Sequence, residues 1–98
     1  MNRRDYLDVA ASIVCDDRPN IHGDAGDCFN LIASHWSTFL THRFKHELSL
    51  SGADVAVLMS LFKISRWQIN GSHSDNIVDG IGYLALAGEL QDKDKCTT

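Results

Sequence analysis

Two cations, Lys63 and Arg66, and two acids, Asp75 and Asp79, fall in consecutive segments, SGADVAVLMSLFKISRWQING and SDNIVDGIGYLALAGEL, whose periodicity predicts amphipathic helices. A charge beside an apolar helical stripe needs a counter-charge, water or a ligand. At about 100° per residue, Met59, Lys63, Arg66 and Asn70 share one edge of the first of these helices, with Arg66 nearest the stripe. An arginine fork beside a lysine point charge suits a phosphate or pyrophosphate group. The competing arrangement pairs Arg66 with an acid of the next helix while Lys63 extends to solvent.

Asp75, Asp79 and Tyr83 recur at i, i+4 and i+8 and therefore line one side of the second helix. Carboxylates one turn apart can share Mg²⁺, which takes oxygen ligands and retains water. Asp75 is equally explained as an anion in a first helical turn, but Asp79 lies beyond it. Tyr83 can meet a ribose or base, or place its ring at a core boundary. A second acidic pair, Asp24 and Asp27, opens an earlier predicted helix and is followed by Asn30. Capping accounts for this pair on its own; if that helix packs beside the other two, carboxylates from two helices converge as metal-binding bundles require.

Other chemistries have weaker support. His42 and His46 have i, i+4 spacing, and His35 joins them only if the helix continues through Lys45; no HExxH accompanies them. Cys15, Cys28 and Cys96 are odd in number and lack CxxC spacing, so free thiols are expected. There is no nucleophile elbow, P-loop or GxGxxG. Trp67 lies off the main stripe, placed to pack partially, stack a base or enter an oligomer contact.

The elements that must position these residues read as an all-α domain, a compact bundle of about four helices over residues 1–90 with a flexible tail over 91–98. Tyr6, Val9, Ala10, Ile13 and Val14 mark a first helix over about residues 3 to 16, closed by Pro19. The second starts near Asp24, uses Phe29, Ile32, Trp36, Phe39 and Leu40 as its apolar face, and reaches at least Thr41; HRFKHELSL either extends it or forms a loop. Ser51 and Asp54 form a capping signal for the third, whose expected buried stripe is Val55, Leu58, Met59, Phe62 and Ile69 and whose end is Asn70-Gly71. Ser72 or Ser74 caps the fourth, where Ile77, Ile81, Leu84, Ala85 and Gly88 lie toward one side. The short NGSHS connection makes the last two helices an antiparallel hairpin. Gly80, Gly82 and Gly88 each cost about 1 kcal/mol relative to Ala, which predicts close backbone approach to the third helix, to another subunit or to a ligand.

The 98 residues carry 22% charged and 44% hydrophobic side chains, ordinary for a globular chain. A formal charge of -4 argues against a nucleic-acid polymer as partner, since such binding relies on clustered Lys and Arg. No apolar run spans a bilayer and MNRRDYLD lacks a signal core, so a cytoplasmic protein without membrane contact is expected. Limited core volume and the helical glycines predict a homo-oligomer.

Three clusters, HGDAGDCFNLIASHW, ADVAVLMSLFKISRWQ and DNIVDGIGYLALAGE, together resemble a family of small phage and prophage proteins that carries only a domain-of-unknown-function label. The likeness covers about residues 22 to 89. Its matching polar positions are Gly23, Asp24, Asn30, Trp36, Asp54, Lys63, Arg66, Asp75, Asp79 and Tyr83; the family often has tyrosine where His22 stands. The resemblance implies an all-α fold and a phage setting, hence the cytoplasm of the host cell. More remotely, helices bearing paired acids resemble MazG-like nucleoside triphosphate pyrophosphohydrolases, which are metal-dependent all-α oligomers. Their EExxE and later ExxD are missing; Asp24 and Asp27 with Asp75 and Asp79 stand where substitutes would be needed. The expected function is therefore nucleotide binding, with Asn30, Lys63, Arg66, Asn70 and Tyr83 toward the ligand and Asp24, Asp27, Asp75 and Asp79 toward Mg²⁺. Two outcomes stay open: hydrolysis of the nucleotide, or a noncatalytic anti-defence protein that sequesters a nucleotide signal or inhibits a host protein.

Overall fold

The computed structural model describes residues 1–16 and 24–97, and among these it contains four α-helices and no strand. They are α1 (Arg3–Asp16), α2 (Ala25–Phe44), α3 (Gly52–Ile69) and α4 (Asp75–Thr97). The expected stop at Pro19 lies outside the described residues, as do His22 and Gly23.

Three of the four starts have a side-chain cap among the described residues. At the fourth, α4, the Ser74 carbonyl accepts from the Ile77 and Val78 amides at 3.1 Å each, and the Ser72 hydroxyl is instead bonded to Asn70. The Asn2 side chain accepts from the Asp5 amide at 2.9 Å while Asp5 accepts from the Asn2 amide at 2.9 Å, so two otherwise unpaired donors are satisfied together. Asp24 caps α2 by accepting from the Asp27 amide at 3.3 Å. Ser51 and Asp54 form the expected reciprocal box at the start of α3, with distances of 3.1 and 2.9 Å.

The ambiguous segment after Thr41 divides. Helix α2 continues to Phe44 and stops at Lys45, which takes a left-handed conformation at φ 55°. The chain then returns along α2, where the Thr41 hydroxyl donates to the Leu48 carbonyl at 3.1 Å and accepts from the Leu48 amide at 3.0 Å. The Ser37 hydroxyl accepts from the Leu50 amide at 2.8 Å, so three polar contacts hold the returning chain against the helix it left.

Helices α3 and α4 form the expected antiparallel hairpin and make the most extensive packing in the molecule; α2 lies on α3 and α1 on α4. The face they share differs from the expected one. Gly52, Val55, Ala56 and Ser60 are the buried residues of α3, whereas Leu58, Phe62 and Ile69 point outward, Ile69 at 88% exposure. Close helix approach selects small side chains: the buried Ser60 hydroxyl donates to the Gly80 carbonyl of α4, a distance no bulky pair allows. A similar rotation occurs on α4, where Asn76, Val78, Gly80, Gly82, Ala87 and Leu90 are buried while Ile77, Leu84, Ala85 and Gly88 are exposed. On α2, Ala33 is buried and Phe39 exposed; on α1, Ala10 is the one buried residue among those described.

The glycines of α4 separate in role. A Cβ at Gly80 would meet the Ser60 hydroxyl at 3.8 Å and one at Gly82 would meet Val14 at 3.8 Å, both ordinary contacts, while Gly88 faces open space. The tail expected after Leu90 instead continues α4 to Thr97. Gln91, Asp92 and Lys93 tolerate the helix, and Lys93 reaches back one turn to Glu89 at 3.1 Å. Among the described residues no helix is long and apolar enough to cross a membrane.

Candidate functional site

A cleft of about 360 Å³ opens between α1, α2 and α4. Ala10, Ile13 and Val14 form one wall, Ala25 and Phe29 a second, and Val78, Asp79, Gly82, Tyr83 and Leu86 the third. The i, i+4 spacing of Asp79 and Tyr83 on α4 places both on this wall. The Tyr83 ring stacks on Phe29, with centroids 6.0 Å apart and planes 26° from parallel. The cleft is thus apolar with an aromatic side, and one carboxylate reaches into it.

That carboxylate is paired. Lys63 on α3 lies 3.0 Å from Asp79, with side-chain exposures of 15% and 33%. The expected alternative, Arg66 paired with α4 and Lys63 in solvent, is therefore reversed. Rotation of α3 toward its small-residue face carries Lys63 to the α4 boundary and leaves Arg66 exposed. Arg66 forms no ion pair among the described residues; its guanidinium lies 5.7 Å from the Phe62 ring centre, and the Lys63 ammonium lies 5.8 Å from the same centre. One exposed aromatic ring thereby holds two cations on one edge, each attracted by its negative face.

The antiparallel register that sets Lys63 against Asp79 brings the next turn of α3, with Arg66 and Trp67, beside the turn of α4 with Asp75 and Asn76. Trp67, Asn76 and Ile77 accordingly line one groove. Asp75 is exposed in the first turn of α4. Lys63, Arg66, Asp75, Asp79 and Tyr83 therefore belong to adjoining turns of one hairpin.

The other expected site residues lie elsewhere. Asn70 ends α3, and its side-chain oxygen accepts from the Ser72 amide at 3.2 Å and the Ser72 hydroxyl at 2.6 Å, a turn-forming role. Asn30 sits where α2 crosses the start of α3, so close to Gly52 that a Cβ there would collide with its side-chain oxygen. Asp24 and Asp27 stay at the start of α2, where they face the end of α4. Lys93 is held above the ordinary lysine range by its hydrogen bond to Glu89 and that acid's charge, with Asp24 and Asp27 adding to the effect. Among the described residues no three His, Cys, Asp or Glu side chains converge to hold a metal, so the two acidic pairs do not merge into one centre. His35 and His42 are exposed on α2, while His46 lies beyond the Lys45 stop and leaves their helical face. Cys15 and Cys28 are free, exposed thiols.

Phe29 and Phe62 were read from the sequence only as core residues. A signal existed for each: Phe62 stands at i−4 to Arg66, the spacing at which helical side chains touch, and Phe29 follows the acidic opening of α2 by one turn.

Residues 5–91 match the family described as a domain of unknown function, DUF6378. The gene 55 protein of Mycobacterium phage L5 is 34% identical over 85 residues, covering 87% of this chain and 51% of that protein. The chain thus spans about half the length of that relative. No solved structure matches it.

Proposed function

We propose that this chain, which belongs to the DUF6378 family and has a phage-encoded relative, binds a nucleoside phosphate and hydrolyses it in the manner of MazG-like pyrophosphohydrolases. The observation that carries this reading is the half-buried Lys63–Asp79 pair at the rim of an aromatic-walled cleft. The base enters beside Phe29 and Tyr83, and the phosphates extend toward the edge that bears Lys63 and Arg66. A phosphate oxygen would take over the Lys63 ammonium, and the Asp79 carboxylate so released would be available to help hold Mg²⁺. Arg66, already exposed and oriented by Phe62, adds a planar fork.

Mg²⁺ is commonly held by one or two carboxylates together with substrate phosphates, so Asp75 and Asp79 fit it without a third acid. When bound there it neutralises phosphate charge. Asp24 and Asp27, engaged at the α2 start and facing Lys93, fall outside this arrangement.

Incubation with a panel of nucleotides, with and without Mg²⁺, followed by mass analysis, tests the reading. Pyrophosphate release supports hydrolysis; tight binding with intact recovery replaces it with sequestration, as an anti-defence protein would do. Failure to bind any nucleotide rejects both. On a nucleotide that binds, Arg66→Ala weakens affinity by about 2 kcal/mol. Stability falls by no more than about 0.5 to 1 kcal/mol, because the side chain is exposed, has no ion pair among the described residues and loses only its contact with the Phe62 ring.

A further inference from the structure

The 13 acids of the chain leave one long gap: residues 28–46 contain no Asp or Glu, while Arg43, Lys45 and three of the five histidines lie inside it. That stretch is α2 from its first turn to its end. Leu31, His35, Phe39 and His42 recur at i, i+4, i+8 and i+11, so they form one exposed stripe turned away from Gly26 and Ala33, the buried residues of the helix. Leu31, Phe39 and Phe44 are 60 to 65% exposed.

Arg43 follows Phe39 by one turn, and its guanidinium lies 5.6 Å from the Phe44 ring centre. Neither Arg43 nor Lys45 has an ion pair among the described residues. The negative end of α2 accounts for cations near its last turn. It does not account for two phenylalanines left in water beside them. Large aromatic side chains next to an arginine are the composition that anchors protein interfaces.

We propose that the outer face of α2 docks an acidic amphipathic segment of a partner protein, with apolar side chains over Leu31, Phe39 and Phe44 and carboxylates on Arg43 and Lys45. The face includes no residue that lines the cleft and is independent of the nucleotide reading. Charge decides the occupant. A single nucleic-acid strand is held by a row of cations that neutralise successive phosphates, and two cations on a chain of formal charge -4 do not supply one. Two carboxylates need no more than these two, and an arginine fork matches a carboxylate with paired hydrogen bonds. The face also has a direction. Asp27 stands one turn before Leu31 on the same side, so the partner's acids belong at the Arg43 end alone. Glu47 lies past that end, on the wall of a shallow groove of about 450 Å³ that it shares with Thr38 and His42.

The test is an amide-shift titration of the ¹⁵N-labelled chain with three probes: a helical peptide with a leucine stripe and glutamates at one end, its twin with lysines for the glutamates, and oligodeoxythymidylate. The glutamate peptide is expected to shift Leu31, His35, Phe39, Arg43 and Phe44, and to bind about tenfold more tightly than its twin, less so as salt is raised. Arg43→Glu with Lys45→Glu, and separately Phe39→Ser, are each expected to weaken it by about tenfold while circular dichroism stays helical, since all three side chains are exposed. No binding of the glutamate peptide at millimolar concentration overturns the proposal. So do equal binding of the lysine twin, tighter binding of oligodeoxythymidylate, or shifts confined to the α3–α4 hairpin. A soluble paramagnetic agent that fails to reach Phe39 and Phe44 in the probe-free protein means that a second copy covers the face, and overturns it too.

Discussion

Replacing Lys63 by Met removes the ammonium and keeps a stem of similar reach, so the change isolates the ion pair from packing. Asp79 then stands at the α3–α4 boundary with no cation at 3.0 Å. Exposed pairs contribute about 0.2 to 1 kcal/mol, and breaking a fully buried one costs about 3 to 5 kcal/mol. With exposures of 15% and 33%, the pair belongs between these limits, and water still reaches part of the carboxylate. The expected loss is about 1.5 kcal/mol, which corresponds to a fall of roughly 6 to 12 °C in Tm for a domain of this size. Asp79→Asn costs less, about 1 kcal/mol, because an unpaired lysine can extend its head to water. In the double variant neither charge remains to be stranded, so the losses do not add. Thermal and urea unfolding of the four proteins close a double-mutant cycle, with a coupling of about 1 kcal/mol expected. Additivity within about 0.3 kcal/mol would refute the idea that Lys63 and Asp79 hold each other in the empty state, and with it the exchange of partners on phosphate binding.

Two further substitutions probe the helix contacts. Ser60→Ala removes the buried hydroxyl that donates to Gly80 and is expected to cost about 1 kcal/mol in urea unfolding, the net value of one hydrogen bond; a neutral result would mean the contact follows from packing and does not hold the hairpin. Gly82→Ala adds a methyl group at ordinary contact distance from Val14, so it raises stability by about 0.5 to 1 kcal/mol through helix propensity while narrowing the cleft; a lower Tm would show that α1 needs the glycine.

The parts of the fold visible in the sequence were those set by local chemistry. Ser51 with Asp54, and Asp24 before its helix, specify starts through hydrogen bonds within four residues, and NGSHS forces a reversal. The buried face of α3 was hidden because large apolar side chains surround it, so periodicity carries no phase. The decision falls to Ser60 and Gly80, whose smallness matters only once two backbones meet. That missed phase also exchanged the roles of Lys63 and Arg66, since they stand three residues apart and a modest rotation brings either to the boundary. Asp79 and Tyr83 share one wall of the cleft, as their i, i+4 spacing implies, but what faces them, Phe29 and Val14, comes from helices remote in sequence. Likewise the helical continuation past Leu90 was not legible, because Gln91 to Lys95 have no apolar stripe, although Lys93 has acids from α2 and its own helix to engage.

Helix α1 packs mainly on α4, so the first wall of the cleft comes from one end of the chain and the third from the other. The hold is light, since among the described residues Ala10 is the one buried hydrophobic that α1 contributes. Such a segment is where a protein opens at a free energy well below that of global unfolding. Undocking α1 would leave the hairpin and its Ser60–Gly80 contact intact while removing the Ile13 and Val14 side of the cleft. Entry of a ligand too large for the closed space would then be timed by the breathing of α1. Its amides would exchange with solvent faster than those of α3, and slow down when the cleft is filled.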